Sequence, residues 1–497
     1  MNELTPIIVG VGQINDRPPI PTDGLDPIAL MEAALRQAET DAGTSLLSDA
    51  DYLGIVQQIA FRDLGDPCAP LAERLGAHPA VAFQTDGPNG DSPIMLLNDA
   101  ANRIGAGEVK IALVVGAEAL RTAAARIAAQ QAGRKLDATR DAATRARPGY
   151  AQSYGLVAPV DVYPLYENAM RAALGQSLAE AQQESGEIWS RFSEVAAAND
   201  GAWLRQPVSA SEVVTPSDRN RPIAFPYNKL MVANSSVNQG AGFIVTSVGE
   251  ARARNIPEDR WIYVGNGAAA HEADNTMRRD RYDHSASMAV SIQRTLELNQ
   301  LTPADLDAVE LYSCFPCIPK LARRLIEWPV DRPATVFGGL TFGGGPIGNY
   351  MSHAVVSMVK RLRDQPGTGL LFANGGYATH NHTIAISSQP IAAARFPRSF
   401  DYQAEADAVR GAAPMLNKEY TGPATVESYT AFFRRDGSVR SGVVVARTPS
   451  DERTLAHVPG SAANTLAALM SHESEPVGRS GAIAAATDGE LRIWTFA

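Results

Sequence analysis

Apolar strand-like segments alternate with amphipathic helix-like segments through most of the chain, and the whole alternation occurs twice. The segment Ile7-Ile-Val-Gly-Val-Gly12 returns as Ile262-Tyr-Val-Gly-Asn-Gly267, with Gly10 and Gly265 standing 255 residues apart. Each copy leads into a helical segment and then an acid-marked strand: Ile28 to Ala42 and Asp51 to Val56 first, Met288 to Asn299 and Asp307 to Tyr312 second. The match continues with a helix from Asp91 to Ile104 feeding the strand Ile111 to Val115, and a helix from Met351 to Leu362 feeding Gly369 to Phe372. Strands apolar on both faces need helices on either side, so the pattern predicts buried sheets in α/β layers, built as two similar halves.

Two regions break the pattern. Residues 121–238 mix helical stretches, Tyr166 to Leu178 and Leu178 to Asn199, with a polar loop, and read as an inserted substrate-binding or lid segment. After Pro414, the run Thr425 to Phe433, the Asp436-Gly437 turn and Val443 to Ala446 predict a hairpin opening a small β domain of barrel or OB-like type. The expected organisation is a first half over 1–120 and 239–255, the insertion over 121–238, a second half over 256–413, and the β domain over 414–497.

Composition narrows the function. Hydrophobic residues make up 45% and charged residues 20% of the 497, so disorder is not the default for any long part. No apolar run approaches the roughly 20 residues of a membrane helix, and MNELTPIIVGVGQ has no basic leader, so no membrane span and a cytoplasmic location are expected. A net charge of -10 argues against a nucleic-acid partner. Seven basic residues between Arg121 and Arg147 form a local exception, suited to phosphates or to a solvated helical face. Cys68, Cys314 and Cys317 are too few for a disulfide framework or a zinc cluster. His380 and His382 alternate along a strand without a third ligand, so no metal is expected, and the VGVG and VGNG turns do not complete a dinucleotide fingerprint and read as strand ends.

The candidate chemistry lies in three loops that the duplication brings to one crevice at the strand ends. They are Gln84 to Pro93, Glu310 to Pro316, and the pair formed by GGLTFGGGPIGNYMSH (338–353) with Phe372-Ala-Asn-Gly-Gly-Tyr377. Glycine-rich turns at helix N-termini favour developing negative charge. Tyr350 and His353, three apart, lie on one face of the helix beyond.

Two α/β halves, a helical insertion, a GGG loop before a helix and a late NGG loop together resemble the thiolase superfamily over residues 4–390. NDAANRIGAGEVKIALVVGAE (98–118) resembles the segment following a thiolase's nucleophilic cysteine, and Tyr312-Ser-Cys-Phe315 resembles the HDCF motif of sterol-carrier-type thiolases. The β domain resembles the added C-terminal domain of type 1 thiolase-like proteins. The resemblance implies a duplicated αβαβα fold and a coenzyme A thioester as substrate or ligand, with no bound cofactor and a monomer or homodimer as the assembly. An acetyl-CoA acetyltransferase-related activity would be the ordinary implication.

The departures from the family redirect that expectation. The nucleophile position falls on Gly90, with Ser92 two residues on; the GHP histidine falls on Tyr350, the HDCF histidine on Tyr312, and the second cysteine near Ala373. Ping-pong thiolysis needs the missing thiolate. The expected catalytic set is therefore Tyr350, Tyr312, His353 and Cys314. The expected substrate and oxyanion set is Gly90, Ser92, Gly344, Gly345, Asn374, Gly375, Gly376, Lys229 and Ser235. Paired tyrosines resemble those of thiolase-fold retro-aldolases, so aldol or retro-aldol chemistry through an enolate leads. Acyl transfer through Cys314 or Ser92, and non-catalytic acyl-CoA or lipid binding, remain as alternatives.

Overall fold

The computed structural model of the chain describes residues 2–131, 149–486 and 491–497. The first half supplies β1 (Pro6–Asn15), β2 (Tyr52–Ile55), β3 (Val81–Gln84) and β4 (Ile111–Ala119). The insertion adds the short β5 (Pro222–Ala224) and β6 (Tyr227–Asn228) before β7 (Asn238–Ser247) returns to the first half. The second half holds β8 (Ile262–His271), β9 (Ala308–Leu311), β10 (Thr368–Gly375) and β11 (His380–Ser387). The C-terminal region holds β12 (Gly422–Phe433), β13 (Val439–Arg447), β14 (Arg453–Pro459), β15 (Ser480–Ala485) and β16 (Arg492–Phe496).

Nine strands run in the order β3-β2-β4-β7-β1-β8-β11-β10-β9, and the halves meet where β1 pairs antiparallel with β8. Alternate residues of β1 face opposite layers. Ile7 and Val9 pack with Leu30, Met31, Ala34 and Leu35 of the outer helix Pro27–Ala42. Ile8 and Val11 face the inner core, which also holds the helices Ser92–Gly105 and Tyr350–Asp364. The second of these is buried on every side from Tyr350 to Val359, as a central layer requires. With the helix Ala286–Leu298 outside β8 and β11, the layers read αβαβα, as the duplicated pattern predicts.

The VGVG glycines are not strand ends, contrary to the expectation from sequence. Gly10 and Gly12 lie inside β1, where a Cβ would collide with the carbonyl oxygens of Ala38 and Ala34. Their bare backbone lets the outer helix lie directly on the strand. That helix starts where Asp26 accepts a hydrogen bond from the Ala29 N–H at 2.8 Å, with Pro27 at its first position.

The insertion helices run over Pro159–Ala173 and Leu178–Ala198. The first begins seven residues before the expected Tyr166, because Pro159 sets its first turn, and stops short of Leu178 at Gly175, whose φ is 65°. Strands β12 to β16 close into a small barrel through the β12–β13 pairing, and β5 extends it from β12 at Ala224–Phe432. The barrel also grips the insertion through Asn168 Nδ2 to the Tyr429 carbonyl (2.9 Å) and Ser428 Oγ to the Leu165 carbonyl (2.6 Å). Fully buried Arg453 reaches Glu427 and the Met277 carbonyl beyond β8. Of the basic run near Arg121, Arg126 is bound to the carbonyls of Thr22 and Gly24, while Arg134, Lys135, Arg140, Arg145 and Arg147 lie outside the described residues. Among the described residues no helix is long and apolar enough to cross a membrane.

The insertion is joined to the second half by a buried ion pair. Lys320 Nζ lies 2.6 Å from Glu167 Oε1 and donates to the Ala181 carbonyl at 2.8 Å, while the Tyr227 hydroxyl donates to the other Glu167 oxygen. Removing one member of such a pair strands a charge in the core. Lys320→Met is therefore expected to lower unfolding free energy by about 3–5 kcal/mol in a urea titration. A loss below about 1 kcal/mol would show that this pair does not hold the insertion in place.

Candidate active site

Loops at the strand ends and the insertion helix Pro159–Ala173 surround a cavity of about 440 Å³. Its wall combines Pro88 to Gly90, Ala158 to Val160 with Tyr163 from the insertion, Val232, Ala233 and Ser235, and Tyr312, Cys314 and Phe315 after β9. Leu340, Gly345 and Ile347 of the glycine loop and Asn374 to Gly376 complete it. The lining carries no charged side chain among the described residues.

Tyr312 and Gly90 define the centre. A Cβ on Gly90 would run into the Asn374 carbonyl and lie 2.5 Å from the Tyr312 hydroxyl, so the phenol fills the volume that a side chain at residue 90 would occupy. Burial, followed by the proximity of Cys314 and Asp91, holds the Tyr312 hydroxyl well above the ordinary tyrosine range, so it is a neutral donor near pH 7. Unlike Tyr350 and Tyr163, it has no hydrogen-bond partner among the described residues.

Around it the polar groups are few and oriented. Burial pushes the Cys314 thiol up to about 12, far from the thiolate a nucleophile requires. Asn374 is held on both sides: its amide donates to Asn381 Oδ1 at 2.9 Å, and its oxygen accepts from the Tyr163 hydroxyl at 3.3 Å. That hydroxyl also donates to the Gly376 carbonyl and accepts from the Ala378 N–H, while Tyr166 one turn on donates to the Tyr377 carbonyl. The N–H groups of Gly90 and Gly376, two residues that line the cavity, meet no protein acceptor among the described residues. Gly376 has a left-handed φ of 64°, a conformation glycine adopts without strain.

Several expected residues stand elsewhere. Tyr350 is fully buried and does not line the cavity; its hydroxyl donates to Glu310 Oε1 at 2.6 Å, so a direct proton exchange with Tyr312 is replaced by an edge-to-face contact at 5.6 Å. His353 is also outside the wall, with Nδ1 on Gln13 Oε1 at 3.0 Å, and burial pushes its pKa down to about 3. Ser92 contacts the Gly87 carbonyl, Gly344 packs against Gln239, and Lys229 is exposed away from the cavity. Gly90, Ser235, Tyr312, Cys314, Gly345, Asn374, Gly375 and Gly376 come together.

The glycine loop therefore works differently from the expected anion turn. The Gly345 N–H is committed to the Asn234 carbonyl at 2.8 Å, and Gly338 and Gly339 make room for Ala196 and Phe192 of the insertion. Gly345 directly precedes Pro346 and lines the cavity, whereas Tyr350 does not. Likewise Asn374, rather than Ala373, is the NGG residue at the wall. Tyr163 and Phe315, stacked at 4.5 Å, line the cavity although neither was among the residues expected from sequence.

Two buried halves, an insertion, a cavity at their joined strand ends and a closed barrel define a thiolase-like protein with an added C-terminal domain. Residues 401–490 match the family described as the thiolase-like protein type 1 additional C-terminal domain. Over 100% of both chains the structure is similar to the monomeric SCP2-thiolase like protein type 1 from Mycobacterium smegmatis, at 27% identity and a TM-score of 0.83. The Ltp2-ChsH2(DUF35) aldolase (18% identity, TM-score 0.58, 79% of this chain and 100% of that one) shares the fold. So does the human mitochondrial 3-ketoacyl-CoA thiolase in complex with CoA (15% identity, TM-score 0.56, 78% of this chain and 99% of that one). No curated protein sequence matches the chain.

The filled space at residue 90 has a direct consequence. Gly90→Cys is expected not to restore an acylable thiol, because its side chain must displace the Tyr312 phenol or the Asn374 carbonyl, at a stability cost of about 1–3 kcal/mol. Intact mass after incubation with acetyl-CoA reads this out, and ready acylation of the single variant would refute the steric argument. Gly90→Cys combined with Tyr312→Ala removes only the phenol, and the Asn374 carbonyl still stands in the way of the new Cβ.

Proposed function

We propose that the protein acts as a monomer on an acyl thioester, with coenzyme A as the carrier, and makes or breaks a carbon–carbon bond without an acyl-enzyme. The observation that carries this reading is the Tyr312 hydroxyl standing in the side-chain space of Gly90, beside two unoccupied backbone donors. The apolar wall suits the acyl chain. The CoA complex of a thiolase of the same fold supports the choice of thioester, the aldolase of that fold supports the reaction type, and the monomeric relative supports the assembly.

In the aldol direction, the thioester enolate adds to a carbonyl carbon. As that bond forms, the Tyr312 phenol gives its proton to the new alkoxide, leaving a β-hydroxyacyl thioester. In reverse, the phenolate takes the β-hydroxyl proton, the Cα–Cβ bond breaks, and the electron pair passes into an enolate whose oxygen is held by the N–H groups of Gly90 and Gly376. The proton on Tyr312 is then exchanged with solvent and the enolate carbon is protonated. Tyr350 positions the Tyr312 ring and carries no proton in this scheme.

Acyl transfer is disfavoured, because Cys314 is held as a thiol and Ser92 does not reach the cavity. One observation favours a second reading, a non-catalytic acyl-CoA binder: no side chain on the wall ionises near neutrality.

Purified protein incubated with β-hydroxyacyl-CoA esters, with and without free CoA, separates the readings when products and intact protein mass are followed together. CoA-independent cleavage by an unmodified protein is expected. Its rate should rise with pH through the neutral range, since the elevated Tyr312 pKa leaves little phenolate at pH 7. Tyr312→Phe should lose about 100-fold or more, while Tyr350→Phe should lose far less. Binding without product would leave the binder reading, and an acylated protein would overturn both.

A further inference from the structure

Beside the NGG loop, and outside the residues that line the cavity, three ligand-type side chains converge. Asp91, just after Gly90, His271 at the end of β8 and His380 at the start of β11 bring one oxygen and two nitrogens within 4.8 Å of one another. The strands bring the histidines together: His380 pairs with His271 in the β8–β11 register, and their rings lie 4.6 Å apart. We propose that Asp91, His271 and His380 form a binding site for a divalent transition-metal ion, zinc by the chemistry of the ligands.

The three groups are gathered but not bonded. No hydrogen bond or ion pair joins any of these side chains to another or to the remaining described residues, although Asp91 is only 8% exposed. A carboxylate so little exposed is held away from most of its water, and a cation between it and the two imidazoles would stabilise its charge. Ligand atoms about 2.1 Å from a tetrahedral zinc lie about 3.4 Å apart. Closing from 4.8 Å to that spacing needs movements below about 1 Å, within the broad ring torsion of histidine. Two imidazoles and one carboxylate are a ligand set that zinc takes with a fourth position left open, and exposed His271 leaves that position to water.

The surroundings favour a cation. Asp274 and Asp401 add negative charge at His271, and the nearby Arg410 is paired with Glu272 and Asp407. His382, the histidine that shares a strand face with His380 in sequence, is not a ligand: it is buried against Asn98 at 2.9 Å. The absent third ligand is supplied instead from β8 and from the start of a first-half helix. An ion here would pin the Gly90 loop to the NGG loop, since a Cβ on Gly375 would lie 3.1 Å from Asp91 Oδ1 and 2.9 Å from the Gly90 nitrogen.

The test is titration of chelator-treated full-length protein with Co²⁺ alone, followed by competition with Zn²⁺. Saturable visible d–d absorption displaced by Zn²⁺ is expected, and Zn²⁺ should raise the melting temperature. His271→Ala, at an exposed position, and His380→Ala should each weaken binding by about tenfold or more and abolish the thermal shift. His284→Ala, at a partly exposed histidine elsewhere, should change neither. No saturable Co²⁺ signal, or a signal unchanged in both the His271 and His380 variants, would overturn the site.

Discussion

The contact between the Tyr312 hydroxyl and the bare Cα of Gly90 governs the rest of the site. It joins a loop of the first half to a strand end of the second, with the Asn374 carbonyl closing the third side. Each segment leaves a strand or enters a helix whose neighbouring residues are buried, so none can retreat independently. A phenol delivered there from a strand end can donate, accept or polarise, which suits hydrogen bonding to a developing charge.

Tyr312 owes its place to a polar cluster behind it. Glu310, two residues earlier, accepts from the Tyr350 hydroxyl, the Thr335 hydroxyl and the N–H groups of Val336 and Phe337. Burial pushes this carboxyl up to about 7 even though those donors favour its ionised form. The same Thr335 oxygen accepts from the N–H groups of Gly338 and Gly339. One carboxyl thus anchors the opening of the glycine loop, the first residue of the central helix and, through the Tyr350 edge, the ring of Tyr312. Tyr350 contributes by packing, and its hydroxyl is no more available to a substrate than any saturated core group.

The halves, the insertion and the barrel were legible in the sequence because burial on both faces leaves long apolar runs and repetition doubles the signal. The site was legible only in part. Tyr312 and Cys314 stood out through residue type and motif, but Tyr350 and His353 stood out in the same way and are core. What shapes the cavity in the glycine loop is the side chain missing at Gly345, and an absent side chain carries no chemistry to notice. Tyr163 is hidden by its helical spacing, which suits packing equally well. His271 becomes a neighbour of His380 only through strand register, which no local pattern encodes.

The insertion and barrel acquire a purpose from this geometry. The helix Pro159–Ala173 supplies Tyr163 to the cavity, and with Tyr166 it holds three successive features of the second half: Asn374, the Gly376 carbonyl and the Tyr377 carbonyl. The same helix is braced on its other side by the barrel, through Asn168 to Tyr429, Leu165 to Ser428 and Arg171 to Tyr429 and Glu475. Without the barrel, those buried groups of the helix would face water or stand unpaired, and Lys320–Glu167 with the Tyr163 and Tyr166 hydroxyls would be the polar ties left between the helix and the second half. The added domain therefore reaches the cavity at one remove: it fixes the helix, the helix fixes the NGG loop, and the NGG loop carries both the Gly376 donor and the carbonyl that closes the space at Gly90.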